Sequence, residues 1–211
     1  MKEKPSEWIA ISDLMAGVMA VMMLLLVLAI MQKGASELKY KQELENSKAQ
    51  AHDPLAVISK NIESILKSAQ ASNLIEMDLP RSRLTLRDSV FEKGSACLTE
   101  EARVAVVSVR AQLESFLKDH RQSKILVEGY TDNLPVKNPV TDYRRFCTVY
   151  DDNYTLSAAR AREARKAIVG NLDERTARRV IVAGYGDSSP LPGVDPADPR
   201  NRRVEVQLTL K

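Results

Sequence analysis

Lys124-Ile125-Leu126-Val127-Glu128-Gly129-Tyr130-Thr131-Asp132-Asn133 is the stretch that decides the fold. Its first six residues read as a buried strand, and Asp132 stands at the end of it. A buried strand needs neighbours along its edges and cover on its face, and the flanking sequence supplies both. Upstream, Thr99 followed by Glu100-Glu101 is a helix start, and Val106, Val109, Leu113, Phe116 and Leu117 give that helix a core face. Downstream, residues 156–169 read as a helix rich in alanine and arginine, and residues 180–185 as another strand. Farther out, residues 75–79 and 84–86 read as a hairpin around Pro80-Arg81-Ser82. The last strand alternates, with Val204, Val206, Leu208 and Leu210 on one side and Glu205, Gln207 and Thr209 on the other. Strands interleaved with helices predict an α/β (α+β) domain: a mixed sheet with helices on one face.

Ahead of that domain, residues 14–31 carry no charged or polar side chain. As a helix they rise about 27 Å, most of the way across a bilayer core. The expected organisation is a short N-terminus at residues 1–8, a single transmembrane helix at 9–31, a helical spacer at 32–73 and the folded domain at 74–211. Within the spacer, Leu55, Ile58, Ile62, Ile65 and Leu66 fall at helical spacing, a face that either packs on the domain or pairs with a second copy. A cleaved leader fits poorly, because the apolar run is long, begins with an acid and lacks a small-x-small cleavage site.

Asp13 is that acid. A carboxylate within a membrane helix costs roughly 2.5–3.5 kcal/mol on insertion scales, so it is expected to bind an ion. Ser12-Asp13 also makes a reasonable helix cap, which is the alternative. Against the cap, apolar character begins before the charge, at Trp8, Ile9, Ala10 and Ile11. With Trp8 in the interfacial aromatic belt, Asp13 lies more than one helical turn deeper. Lys2 and Lys4 before the run nearly balance Lys33, Lys39 and Lys41 after it, so charge alone does not orient the helix.

A net charge of +3 spread along the chain carries no basic patch with interleaved aromatics, so no nucleic-acid partner is expected. His52 and His120 are isolated, which gives no metal site and no cofactor. No G-x-S-x-G, H-E-x-x-H or P-loop pattern occurs, and no enzymatic activity is expected. Cys97 and Cys147 either form a disulfide or stay as two free thiols, and their spacing leaves both open.

Three ordered segments resemble the OmpA-like peptidoglycan-binding family. They are Gly129-Tyr130-Thr131-Asp132-Asn133, Asn153-Tyr154-Thr155-Leu156-Ser157-Ala158-Ala159-Arg160-Ala161 and Asn201-Arg202-Arg203-Val204-Glu205. Phe91-Glu92-Lys93-Gly94-Ser95-Ala96 with Leu98 is similar to the family's lead into its first long helix, and Gly184-Tyr185-Gly186 with Pro190 fits the loop before its last strand. The resemblance implies a ligand, the diaminopimelate-containing peptide stem of peptidoglycan. Diaminopimelate carries an ammonium and a carboxylate on one carbon, so its pocket needs an acid and a base close together. Asp132 suits the ammonium, and Arg160 suits the carboxylate because guanidinium offers a two-pronged grip that lysine lacks. Leu156 lies one turn before Arg160, and Asn153 stands just before the helix. Asn201, Arg202 and Arg203 are expected at the rim or in structural roles. Between Asp132 and Asn153 the loop is longer than in the simplest family members, long enough to fold over the pocket, and a Cys97–Cys147 bond, one of the two states open to these thiols, would tie it back.

The whole layout resembles the MotB family of ion-driven motor subunits, on Trp8-Ile9-Ala10-Ile11-Ser12-Asp13-Leu14-Met15. That resemblance implies a bacterial inner-membrane protein with a cytoplasmic N-terminus and a periplasmic C-terminal domain. It also implies a dimer inside a ring of a multi-helix MotA-like subunit, transporting H⁺ or Na⁺ on Asp13. Ala16, Gly17 and Ala20 permit close helix approach. The wording of the helix start and the compact spacer look more like the ZorB subunits of Zorya anti-phage systems, with a ZorA-like ring, than like flagellar subunits. A flagellar-type stator subunit and a static envelope tether are the alternatives.

Overall fold

The computed structural model describes residues 15, 17–19, 21–27, 33 and 53–210. The chain divides into two units, Met1–His52 and Asp53–Lys211. In the first unit the described residues are helical, and Met15, Val18, Met19 and every side chain from 21 to 27 are more than half exposed. Among the described residues no helix is long and apolar enough to cross a membrane. Asp13 and the rest of the span expected at 9–31 lie outside the described residues.

The second unit opens with helix α1 (Pro54–Ser68), started by Asp53, whose carboxylate accepts from Leu55 N, and by a proline in the first turn. This helix falls within the spacer expected at 32–73, and it packs on the domain: Ile58, Ile62 and Leu66 are buried in the domain's core. The hairpin follows as β1 (Ile75–Asp78) and β2 (Arg83–Arg87), paired antiparallel around a turn in which Ser82 has φ 49°. Helix α2 (Glu100–Asp119) is capped by Thr99, whose hydroxyl accepts from Ala102 N, and Glu100 and Glu101 complement its dipole. Strand β3 (Lys124–Tyr130), short helix α3 (Tyr143–Phe146), helix α4 (Asn153–Val169), short helix α5 (Glu174–Ala177), strand β4 (Val180–Gly184) and strand β5 (Arg203–Thr209) complete the order.

The sheet runs β1-β2-β5-β3-β4, with β3 and β4 parallel and every other pair antiparallel. It is therefore mixed. The register stacks Leu84 beside Val206 and Val206 beside Val127, so one face is continuously apolar. Onto that face pack α1, α2 and α4, giving a single cluster that includes Ile62, Leu113, Leu117, Ile125 and Leu208. The other face is charged. There Thr85, Glu205 and Glu128 sit side by side, and so do Arg87, Arg203 and Tyr130.

Two glycines bring α4 against the sheet. A Cβ on Gly129 would lie 2.0 Å from the Ser157 carbonyl oxygen, and one on Gly184 would lie 2.6 Å from Ala158. Ser157 Oγ also accepts from Gly186 N at 2.9 Å. Backbone contact at this level fixes the end of α4 that carries Leu156 and Arg160 relative to the end of β3 that carries Asp132.

Candidate functional site

Four charged side chains meet where the ends of β2, β3 and β5 approach α4. Asp88 opens the 3-10 turn Asp88–Val90 directly after β2. Asp132 follows β3, positioned by Thr131 N donating to Gly186 O at 2.8 Å and Asn133 N donating to Pro196 O at 3.1 Å. Arg160 comes from the second turn of α4, a helix capped by the Asp152 carboxylate, which accepts from Thr155 N at 2.6 Å. Arg202 follows the 3-10 turn Pro199–Asn201. Asn201, fully buried, pins that loop by accepting from Leu191 N at 2.8 Å and donating to Asp195 O at 2.8 Å.

The four form an alternating chain of charge. Arg202 Nη1 donates to Asp132 Oδ2 at 2.6 Å and Arg202 Nε to Asp88 Oδ2 at 3.0 Å. Arg160 Nη1 donates to Asp88 Oδ1 at 3.0 Å. Arg160 is only 3% exposed; its Nε donates to Ser95 O at 3.0 Å, and its guanidinium lies over the Phe91 ring at 5.1 Å. Burial pushes the Arg160 pKa down, opposed by the Asp88 carboxylate beside it. For Arg202, burial also works against the charge, but the bonds to Asp132 and Asp88 outweigh it and hold its pKa above the usual arginine value.

The residues expected from the sequence therefore converge, with distinct placements. Asp132 and Arg160 belong to one cluster and are linked through Arg202 and Asp88. Leu156 is buried one turn before Arg160. Asn153 Nδ2 donates to Asp132 O at 3.2 Å and to Leu134 O at 3.0 Å, so it shapes the backbone that carries Asp132. Arg202, expected at the rim or in a structural role, lines the cavity and bonds both Asp132 and Asp88. Asp88 was not among the expected residues at all. Its only local signal is an acid placed immediately after a strand, a position where turn residues are common.

The long loop folds back onto the segment after β2, and none of its residues lines the cavity beside Asp88 and Arg202. Val140 and Tyr150 pair across it, and α3 is capped by Asp142, which accepts from Arg145 N at 3.1 Å. Cys147, in the left-handed region at φ 56°, is joined to Cys97 with their Cα atoms 5.1 Å apart. Around that bond, Ala96 N and Ser95 Oγ both donate to Phe146 O at 3.1 Å, and Tyr150 OH donates to Gly94 O at 2.6 Å. The loop thus grips the segment whose Ser95 carbonyl holds Arg160. Beyond Asp88 and Arg202, a cavity of about 800 Å³ opens over the charged face of the sheet, walled also by Arg83, Arg87, Leu191 and Glu205.

A family model described as the OmpA family matches residues 90–203, more than half of the chain. Motility protein B of Bacillus subtilis (strain 168) is 27% identical over 173 residues, 80% of this chain and 57% of that protein. That coverage is too long to lie within Asp53–Lys211 alone. A putative MotB-like protein from Desulfovibrio vulgaris shares the fold at 22% identity and TM-score 0.53, over 78% of this chain and 96% of that one. The cell wall anchor of the T6SS from Pseudomonas aeruginosa does so at 24% identity and TM-score 0.52, over 71% and 97%.

Proposed function

The chain belongs to the OmpA family, and from that premise we propose that it is a MotB-like subunit that binds the diaminopimelate stem of peptidoglycan and is driven by ion passage at Asp13. The observation that carries the wall-binding half is the shared cluster of Asp132 and Arg160. An acid and a guanidinium in one partly dry site match the two charges on one carbon of diaminopimelate, with Asp132 taking the ammonium and Arg160 the carboxylate. Leu156 and Asn153 frame them. Purified full-length protein in detergent sediments with isolated peptidoglycan, and Arg160→Ala loses that sedimentation. Equal sedimentation of the two proteins overturns the assignment.

The motor half rests on the sequence and on the reach of the motility-protein alignment beyond the folded unit. Residues 9–31 span the inner membrane, leaving residues 1–8 in the cytoplasm and the OmpA-like domain in the periplasm. The exposed apolar side chains at 21–27 favour that environment over water. Two copies sit within a ring of a MotA-like or ZorA-like multi-helix subunit. H⁺ or Na⁺ moving down its gradient binds and leaves Asp13, each charge releasing about 2.3 kcal/mol per 100 mV. Charging and neutralising Asp13 changes its preferred neighbours in the ring, so the ring steps while the wall holds this subunit. The helix-start wording favours a ZorB-type role in anti-phage defence. Asp13→Asn abolishes protection in a phage challenge and leaves the assembly intact; full protection or full motility in that variant removes the motor reading.

A further inference from the structure

The cluster holds twice the charge that a two-point grip requires, and we propose that Asp88 and Arg202 make the site selective for ligands that carry an ammonium and a carboxylate together. This inference rests on the wall-binding reading and deepens it. Along the cluster the order of charges is Asp132, Arg202, Asp88, Arg160, joined by bonds of 2.6, 3.0 and 3.0 Å. The two groups assigned to the ligand are the two ends, and each end is already bonded to an inner member. Those bonds use Asp132 Oδ2 and Arg160 Nη1, so a ligand joins a cluster whose charges are already paired.

Charge balance decides which ligands can join it. The cluster has two acids and two bases and is neutral as a whole. A zwitterionic head gives its ammonium to Asp132 and its carboxylate to Arg160, and leaves Arg202 paired with Asp88. Every charge then keeps a partner. An amine alone takes Asp132 but leaves the cluster with an excess positive charge, and a carboxylate alone leaves an excess negative one. Arg160 and Asp132 have side chains only 4% and 8% exposed, so water does little to screen the imbalance. Asp88 and Arg202, at 35% and 29%, form the accessible inner pair beside the cavity on the charged sheet face. They balance the charges of the two ends and hold each other.

The test uses full-length protein in detergent and three probes: meso-diaminopimelate, 1,5-diaminopentane, which keeps the spacing of its two ammonium groups, and pimelate, which keeps the spacing of its two carboxylates. Binding is read by titration calorimetry. Wild type favours diaminopimelate over either probe of one charge sign by on the order of tenfold, the factor for one charged hydrogen bond left unmade. Arg202→Gln leaves the cluster net negative and gains affinity for 1,5-diaminopentane. Asp88→Asn, nearly isosteric, leaves it net positive and gains affinity for pimelate. If Arg202→Gln does not fold, Asp88→Asn supplies the mirror-image result alone. Variants that keep the wild-type ranking overturn the selectivity assigned to Asp88 and Arg202 while leaving wall binding in place. Wild type that binds neither diaminopimelate nor isolated peptidoglycan overturns wall binding and this inference with it.

Discussion

At the scale of single residues, a glycine and an ion pair do most to set the site. Gly129 is required because its missing side chain is where the Ser157 carbonyl sits, 2.0 Å from any Cβ that would be added. The obstacle is backbone, which cannot rotate away as a flexible side chain can. Gly129→Ala should destabilise the domain by about 3 kcal/mol, the upper range for overpacking, and a urea titration measures it. A stability change under about 1 kcal/mol would show that α4 can shift off the sheet freely. Asp132 and Arg160 were legible in the sequence because each lies in a short ordered motif beside a strand or helix start. Asp88 and Arg202 were not legible in the same way. Asp88 meets Arg160 across 72 positions and Arg202 across 114, so their pairing exists only once β2, β5 and α4 have come together. Glu205 teaches the same lesson. Alternation placed it on the outer face, yet it is 3% exposed, because Arg203 and Arg83 donate to it at 2.7 and 2.6 Å. Alternation reads which face a residue takes and is silent about what else covers that face.

At the scale of elements, caps and a covalent tie hold the site-bearing segments in place. Asp152 caps α4 and Asp173 caps α5, and backbone bonds to Thr155 in the first and the Thr176 bonds in the second lower their carboxyl pKa values. The bond from Arg200 takes Asp198 down to about 2 from 3.8. A carboxylate whose pKa is depressed by folding contributes stability above its unfolded pKa and loses it as pH falls through the folded one. The melting temperature should therefore drop progressively between about pH 4 and pH 2, and Asp152→Asn should show a smaller drop than wild type. Equal acid sensitivity in both would remove Asp152 from the account. The disulfide acts on the long loop, a segment whose helix α3 and turn residues carry little periodicity and whose course the sequence could give only as a cover over the pocket. Closing a separation of 50 residues, it should contribute about 2–4 kcal/mol, seen as a lower denaturation midpoint after reduction. Because the loop holds Ser95, and Ser95 O holds Arg160, reduction should also weaken diaminopimelate binding beyond its effect on folding. Unchanged binding in reduced, folded protein would uncouple the loop from the site.

At the scale of the whole molecule, the proposal assigns different work to the two units, Met1–His52 and Asp53–Lys211. The order of strands and helices in the second unit was readable, since each element carries its own period and punctuation. The packing of α1 on the domain was one of two readings, because an apolar helix face says that it is covered and not by what. Asp13 is readable from the residues as an acid at the head of an apolar run, and the role proposed for it calls on neighbours from other chains. These differences make separation of function the decisive experiment. If ion passage at Asp13 generates force and Arg160 transmits it to the wall, the two variants must fail for different reasons. Asp13→Asn should sediment with peptidoglycan as wild type does, while giving no protection against phage and no motility. Arg160→Ala should lose sedimentation and lose the same biological activity, although its Asp13 is intact. Anchoring is needed because a step delivered to an unheld subunit turns the subunit instead of the ring. Full activity in an Arg160→Ala protein that no longer sediments would break the link between the two units, and the wall-binding site would then serve something other than force transmission.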